Sequence, residues 1–296
     1  MVEEVLRALD GAETVLDCTL GGGGHSLALL ESGAVVTGID RDPIAIAEAS
    51  ERLKAFVSAG TFRAVQGDST RIDEIRALDG HSFGGILADL GISSFQIDSD
   101  ERGFSFRQGV VLDMRMSGSG ESGADLLNTA PPEELARIFR EYGDEPRGRR
   151  LASEVVRRRA TREFVVADDF VGAIRGTFGA SAGPSDFARL FQAVRIAVND
   201  ELAGLERVLP ILRDRLLPGG VLAVIAYHSG EDRLVKHAMR EWSVACHCPP
   251  RQPVCTCGGV AAGALVTRKS VQAGADETAH NPRARSARLR AWRKAA

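Results

Sequence analysis

Short apolar runs that end in a carboxylate punctuate the first third of the chain. Val15-Leu16 closes on Asp17 and Gly38-Ile39 on Asp40, while Thr61 to Val65 and Gly85 to Leu90 predict two further strands near Asp68 and Asp89. Helical spacing lies between them: Asp42-Pro43 supplies a cap and a first-turn proline, after which Ile46, Leu53 and Val57 recur on one face. Four strands each delivering a carboxylate at the carboxyl end describe the ligand crevice of an open parallel sheet.

The rhythm then changes. Residues 91 to 123, rich in Ser, Gly and Asp, predict a loop over the crevice. Residues 131 to 209 read as wholly helical, with Leu135, Ile138, Phe139 and Tyr142 on one side of the first helix. A later helix from Asp186 repeats Leu190, Val194, Val198, Leu202, Leu205 and Leu209 until Pro210 interrupts it. Strand character returns at Val221 to Tyr227, followed by a helix from Glu231 to Trp242. Near the end Ala287, Leu289 and Ala291 alternate with Arg288, Arg290 and Trp292, predicting a half-exposed strand. The fold class is therefore α/β, a sheet domain (1–106 and 210–296) interrupted by a loop and an all-helical insertion (107–209).

Chemistry concentrates in Asp17-Cys18-Thr19-Leu20-Gly21-Gly22-Gly23-Gly24-His25-Ser26. Four glycines after a strand let a ligand approach the backbone, and a carboxylate at the end of the next strand, Asp40, receives ribose hydroxyls. The dinucleotide fingerprint fails, because Ser26 stands where its third glycine belongs, and no Gly-Lys-Ser/Thr of a phosphate loop follows. No Lys or Arg lies between Asp17 and Asp40. Such a pocket suits a nucleoside with positive charge, S-adenosylmethionine, better than a pyrophosphate. The plainer alternative is a glycine turn that only reverses the chain.

Composition narrows the setting. With 44% hydrophobic and 26% charged residues the chain is an ordinary globular one, with no apolar run of the roughly 18 residues a membrane span needs and no leader, so a cytoplasmic enzyme without membrane contact is expected. The net charge of -3 hides two basic stretches: residues 146 to 162 hold seven Arg against one Glu, and residues 281 to 296 hold six Lys or Arg and no acid. Local basic surface on an acidic body fits a polyanion binder, although arginine runs are more often solvated helix faces. Cys246, Cys248, Cys255 and Cys257, with His247, could hold zinc. Cys-x-Cys lacks the turn room of the usual Cys-x2-Cys knuckle, so reduced structural thiols and no metal are the expectation.

Several segments together resemble one family, the bacterial 16S rRNA cytosine-N4 methyltransferases that use S-adenosylmethionine. They are DCTLGGGGHS from Asp17, GIDRDP from Gly38, ADLGISSFQID from Ala88, RGFSF from Arg102, LDMRM from Leu112, FQAVRIAVNDEL from Phe191, HSGEDRLVK from His228 and NPRARSARLR from Asn281. The resemblance implies a Rossmann-like methyltransferase sheet with a helical substrate-recognition insertion. Its target would be a cytidine in the decoding centre of the small ribosomal subunit, with monomer and homodimer both admissible. By position, the cofactor contacts would be Gly23, Gly24, His25, Asp40, Ser69, Asp89 and Gln96. Ser69 stands where an aromatic is usual, Gly230 where leucine is, and Tyr227 where phenylalanine is.

Methylating an exocyclic amine requires the nitrogen in line with the methyl group, about 3 to 3.5 Å away, and an acceptor for its proton. Asp89 is the candidate for orienting cofactor and amine, with Asp113 and His228 as candidate proton acceptors. Asp113 could instead cap a turn, and His228 could bond backbone where strand meets helix. Unstacking the base costs a few kcal/mol, which aromatic stacking offsets by ~1 to 3 kcal/mol per base. Phe104, Phe106 and Tyr227 are available for that role, unless the two phenylalanines are core anchors. Asn281, Arg283, Arg285 and Arg288 are candidate RNA contacts, as are Arg147 and Arg158 of the insertion. A DNA amino-methyltransferase would carry Pro-Pro and an aromatic where Leu90-Gly91-Ile92 stand. A ribosome-assembly factor with a vestigial pocket and a nicotinamide dehydrogenase are the remaining rivals.

Overall fold

The computed structural model describes residues 1–92, 100–246, 248–249, 252, 254 and 256–296, with backbone alone at 276, 280, 282 and 283. The chain forms two compact units, Met1–Gly91 with Leu202–Ala296, and Ile92–Glu201.

The first unit is an eight-stranded sheet: β1 Thr14–Asp17, β2 Val35–Asp40, β3 Phe62–Gln66, β4 Phe83–Asp89, β5 Leu216–Ala226, β6 Gly263–Leu265, β7 Val271–Gln272 and β8 Arg288–Lys294. The order is β3-β2-β1-β4-β5-β8-β6, with β7 also pairing β8. Strands β3 to β5 run parallel in the pairs β2/β3, β1/β2, β1/β4 and β4/β5, whereas β8 is antiparallel to β5, β6 and β7.

Both faces of this sheet are covered, which is why its central strands read as continuous apolar runs rather than alternating ones. Val15, Val36, Leu87, Ala223 and Ile225 pack with the helices Val2–Ala8 and Gly24–Glu31. Leu16, Ile39, Ile86, Leu222 and Val224 face the other way, toward the helices Glu201–Asp214 and Ser229–Trp242.

Three local expectations change for stated reasons. The helix after Asp42 ends at Arg52, where Leu53 leaves helical geometry (φ -100°, ψ 16°); Leu53 stays buried but Val57 turns out to solvent, 46% exposed. The long repeat from Asp186 breaks at Asn199-Asp200, where Asp200 has φ 50°, and Pro210 sits inside the second helix instead of ending it. Asn199 turns its side chain to the Met116 N–H (2.8 Å) and the Met114 carbonyl (2.7 Å), and that crosslink sets the break. Strand β8 alternates as expected at its start, where Arg288 is exposed and Leu289 buried, but the alternation fails at Trp292. It lies between β5 and β6, so Trp292 is fully buried edge-on to Trp242 (5.2 Å) and Arg290 is clamped by Asp232 at 2.7 and 3.0 Å.

The second unit is helical, with helices Gly123–Thr129, Pro132–Glu141, Gly148–Arg159, Ala167–Phe178 and Pro184–Val198 around a core that includes Leu127, Phe139, Phe170 and Phe191. It begins at Ile92 and ends at Glu201, against the expected 107 to 209, because the segment carrying Phe104 and Leu112 packs into this core.

Trp292 gives the sheet a direct stability test. Trp292→Ala removes a fully buried indole and the bond from its Nε1 to Ser243 Oγ (3.1 Å), and should cost ~3 to 5 kcal/mol in urea unfolding. A loss below ~1 kcal/mol would contradict the burial described.

Candidate active site

The crevice opens where β1 and β4 lie side by side and their onward connections leave in opposite directions, to β2 on one flank and toward β5 on the other. Asp17, at the end of β1, is turned inward: it is 1% exposed and accepts from Ser26 Oγ (2.7 Å) and the Thr19 N–H (3.1 Å). Burial raises its pKa against those bonds. Its work is to tie the glycine loop to the first turn of the following helix. Gly23 completes that loop with φ 74°, a backbone conformation that favours glycine, and a β-carbon there would crowd Leu53 Cδ1 at 3.2 Å.

Asp40, at the end of β2, accepts from the Gly21 N–H (2.8 Å) and the Asp42 N–H (2.9 Å). Burial raises its pKa, opposed by those two donors. A carboxylate has about four lone-pair directions, so acceptor capacity remains for two ribose hydroxyls. Asp68 is spent differently: it caps its own short helix through the Thr70 N–H (2.9 Å) and lies 4.0 Å from Arg41. Ser69 begins that short helix, half-buried.

Asp89 is the centre of the site. Its Oδ1 accepts from the Tyr227 hydroxyl (2.9 Å), its Oδ2 lies 3.4 Å from His25 Nε2, and its backbone N–H donates to Thr19 Oγ1 (2.7 Å). Burial opposes protonation of His25, but the Asp89 carboxylate, by hydrogen bond and by charge, with Asp17 behind it, more than reverses this and raises its pKa. His25 Nδ1 is buried with no hydrogen-bond partner among the described residues. Burial, then the negative charge of Asp89, pushes the Tyr227 phenol well above its ordinary value, so it donates and does not ionise.

Beyond Tyr227, β5 gives way to the helix Ser229–Trp242, with His228 as its cap. His228 Nδ1 accepts the Gly230 N–H (3.2 Å), and Nε2 lies 3.2 Å from Glu231 Oε1. With Nδ1 engaged as an acceptor, the neutral ring carries its proton on Nε2 and has no nitrogen lone pair to offer a substrate. The backbone-bonding role, not proton acceptance, is what this geometry provides. Beside it a cavity of about 430 Å³ is lined by His228, Arg233, Lys236, Arg285 and Arg288.

The remaining expected residues divide by unit. Gln96 lies outside the described residues, as does the side chain of Arg283. Asn281 is exposed at the start of a short turn of helix. In the helical unit Asp113 is held by Arg115 (2.6 and 2.9 Å) and bonds the Arg115 N–H (3.0 Å). Burial would raise its pKa, but those bonds lower it overall, which makes it a poor proton acceptor and a good turn cap. Phe104 packs against the helical core, the anchoring role. Phe106 remains 37% exposed, with Phe187 and Phe191 each 6.0 Å away. Arg147 stacks on Phe178 (3.9 Å) and pairs with Glu145 (3.2 Å), and Arg158 pairs with Glu154 (2.7 Å), all within the helical unit.

Sequence reasoning missed Thr19 as a holder of Asp89, and Arg233 and Lys236 as cavity cations. The latter pair was accessible: they stand three apart on one helix, one turn on from the His228 cap, and therefore share a face.

A family model for the MraW methylase family matches residues 1–295. The chain belongs to that family. The ribosomal RNA small subunit methyltransferase H of Gemmatimonas aurantiaca is 57% identical over 296 residues, covering 100% of this chain and 94% of that protein. Its counterpart from Anaeromyxobacter sp. (strain K) is 48% identical over 295 residues, 98% of this chain and 94% of that one. Among solved structures, an rRNA methylase from Streptococcus thermophilus aligns with TM-score 0.43 at 10% identity, over 100% of this chain and 94% of that one.

The protein is accordingly a methyltransferase that uses S-adenosylmethionine. The residues present fit that cofactor. The crevice is acidic, the glycine loop keeps side chains away, Asp40 retains acceptor capacity, and the buried His25 Nδ1 still lacks a partner. Among the described residues no helix is long and apolar enough to cross a membrane.

The His25–Asp89 pair predicts a pH response. In nuclear magnetic resonance titration His25 should titrate above the ordinary value of about 6.5, and Asp89→Asn should bring it down. Because the folded value is the raised one, the pair's contribution to stability is complete below about pH 6.5 and is lost as pH climbs through the folded value. An unchanged His25 titration in the variant would disprove the pairing.

Proposed function

We propose that this chain methylates the exocyclic N4 of a cytidine in 16S ribosomal RNA, in the decoding centre (P site) of the small subunit, inside the cytoplasm. The names of its relatives support ribosomal RNA of the small subunit as substrate. The observation that carries the reading is the juxtaposition at one end of the sheet: Asp89, fixed by Tyr227 and His25, and next to Tyr227 and His228 a cavity lined by Arg233, Lys236, Arg285 and Arg288. An acidic crevice for a cationic nucleoside thus adjoins a cationic recess for a polyanion.

S-adenosylmethionine, when bound, supplies an electrophilic methyl group. Gly23, Gly24 and His25 line its loop, Asp40 takes the ribose, and Ser69 and Gln96 are further candidate contacts from the resemblance. Asp89 then has a second task. Cytosine's amine is a weak nucleophile because its lone pair is delocalised into the ring. A carboxylate that accepts a hydrogen bond from the amine fixes the nitrogen's direction of attack, and the same carboxylate takes up the proton the amine loses as the methyl group is transferred. Tyr227 and His25 hold the carboxylate still. Asp113 and His228, engaged as caps, serve by positioning rather than as proton acceptors. The cavity cations grip phosphates flanking the target, Asn281 and Arg283 are further candidate RNA contacts from the sequence, and Phe106 is a half-exposed aromatic in the insertion available to stack on a base.

Incubation with radiolabelled cofactor and small subunits from a strain lacking the modification tests the whole reading. Label should appear in N4-methylcytidine after nucleoside digestion, and label in any other nucleoside would sink it. Asp89→Asn should lower kcat by ~10² to 10⁴-fold. Arg285→Ala with Arg288→Ala should weaken RNA binding and flatten its salt dependence by roughly 0.7 of a log unit per lost contact, leaving cofactor affinity intact. Parallel loss of both affinities would contradict the division between crevice and cavity.

A further inference from the structure

Between the helix Ser229–Trp242 and β6, the described residues form neither helix nor strand. Connections longer than ~12 to 15 residues without structure of their own are uncommon in compact domains, and this one, residues 243 to 262, exceeds that. Apolar burial does not hold it together: Val244, Val254 and Val260 are 45%, 70% and 86% exposed.

What does converge in it is sulfur. The Sγ atoms of Cys246, Cys248 and Cys257 all lie within 4.8 Å of one another, and those of Cys246 and Cys257 are 3.9 Å apart. The Thr256 backbone N–H points at Cys248 Sγ (3.4 Å), an arrangement that favours thiolate. Glycine at 259 lets the two arms of the loop close, since a β-carbon there would run into the Ala245 carbonyl oxygen.

These separations discriminate between explanations. A disulfide needs its sulfurs about 2.05 Å apart. Thiolates around a tetrahedral zinc, with bonds of ~2.3 Å, stand about 3.8 Å from one another. Sulfurs this close leave no room for an iron–sulfur core, which favours a single soft ion. The tightness of Cys-x-Cys is met by the observed placement: the Sγ atoms of Cys246 and Cys248 lie within 4.8 Å of each other and of Cys257 on the opposite arm.

We propose that Cys246, Cys248 and Cys257 ligate a structural zinc ion that staples this loop. Cys255 and His247 lie outside the described residues, so the fourth ligand is left to the measurement. The metal sits in the loop and not in the crevice, and its role is to give fixed shape to a segment that has no core of its own.

The test uses the full chain, purified with reductant and without chelator. Metal analysis should find one zinc ion per chain, and X-ray absorption should report three or four sulfur neighbours. Cobalt(II) exchanged into the wild-type protein should give the strong thiolate charge-transfer band and the visible bands of a tetrahedral site. Cys246→Ser with Cys257→Ser should lose zinc and cobalt binding and expose residues 243 to 262 to proteolysis, while circular dichroism and S-adenosylmethionine binding persist. Three results would each overturn the proposal: wild-type protein that takes up neither zinc nor cobalt, a double variant that keeps its metal, or a Cys246–Cys257 disulfide in freshly isolated protein.

Discussion

One residue, Asp89, ties together three strand ends that have no covalent reason to stay in register. Its backbone N–H donates to the Thr19 hydroxyl beyond β1, while its carboxylate meets His25 from the helix behind the glycine loop and Tyr227 from the end of β5. Each of these partners depends on another local device. Thr19 sits in the turn that Asp17 fastens to Ser26, and Tyr227 donates its own backbone N–H to Glu231 in the next helix (2.8 Å). Loosening Asp89 would therefore disturb the glycine loop and the β5 exit at once, and this is why a side chain suited to chemistry also bears on local architecture.

Charge is segregated with the same economy. Several arginines of the insertion's conspicuous run are engaged within the helical unit: Arg147 pairs with Glu145, Arg157 and Arg158 share Glu154, and Arg159 donates to the Leu127 and Ala130 carbonyls at 3.0 and 2.8 Å. The cations beside the crevice come instead from the less conspicuous helix after β5 and from the last strand's approach. Exposed ion pairs of this kind contribute little individually to stability, so their main effect is to decide which guanidinium groups stay available to a polyanion.

Much of this was legible in the residues. Strand ends at Asp17, Asp40 and Asp89 appear in sequence because buried parallel strands need unbroken apolar runs, and the helical insertion appears because its periodicity is strong. Tertiary context decided the rest. Nothing local reveals that Asp113 would be captured by Arg115 two residues on, or that Asn199 would find Met114 and Met116 more than eighty residues back. The alternation in β8 reads as a half-exposed strand and holds at Arg288 and Leu289, but covering of Arg290 and Trp292 depends on a helix that supplies Asp232 from elsewhere in the chain.

The pairing of β4 with β5 joins residues on either side of the whole helical unit, for instance Asp89 with Ile225. Closing a loop of that size is entropically slow while the intervening chain is loose. The helical unit is contiguous and built on neighbouring helices, so its collapse would shorten the effective tether between β4 and β5, and a segment that contributes no strand to the central sheet would thereby ease the sheet's closure.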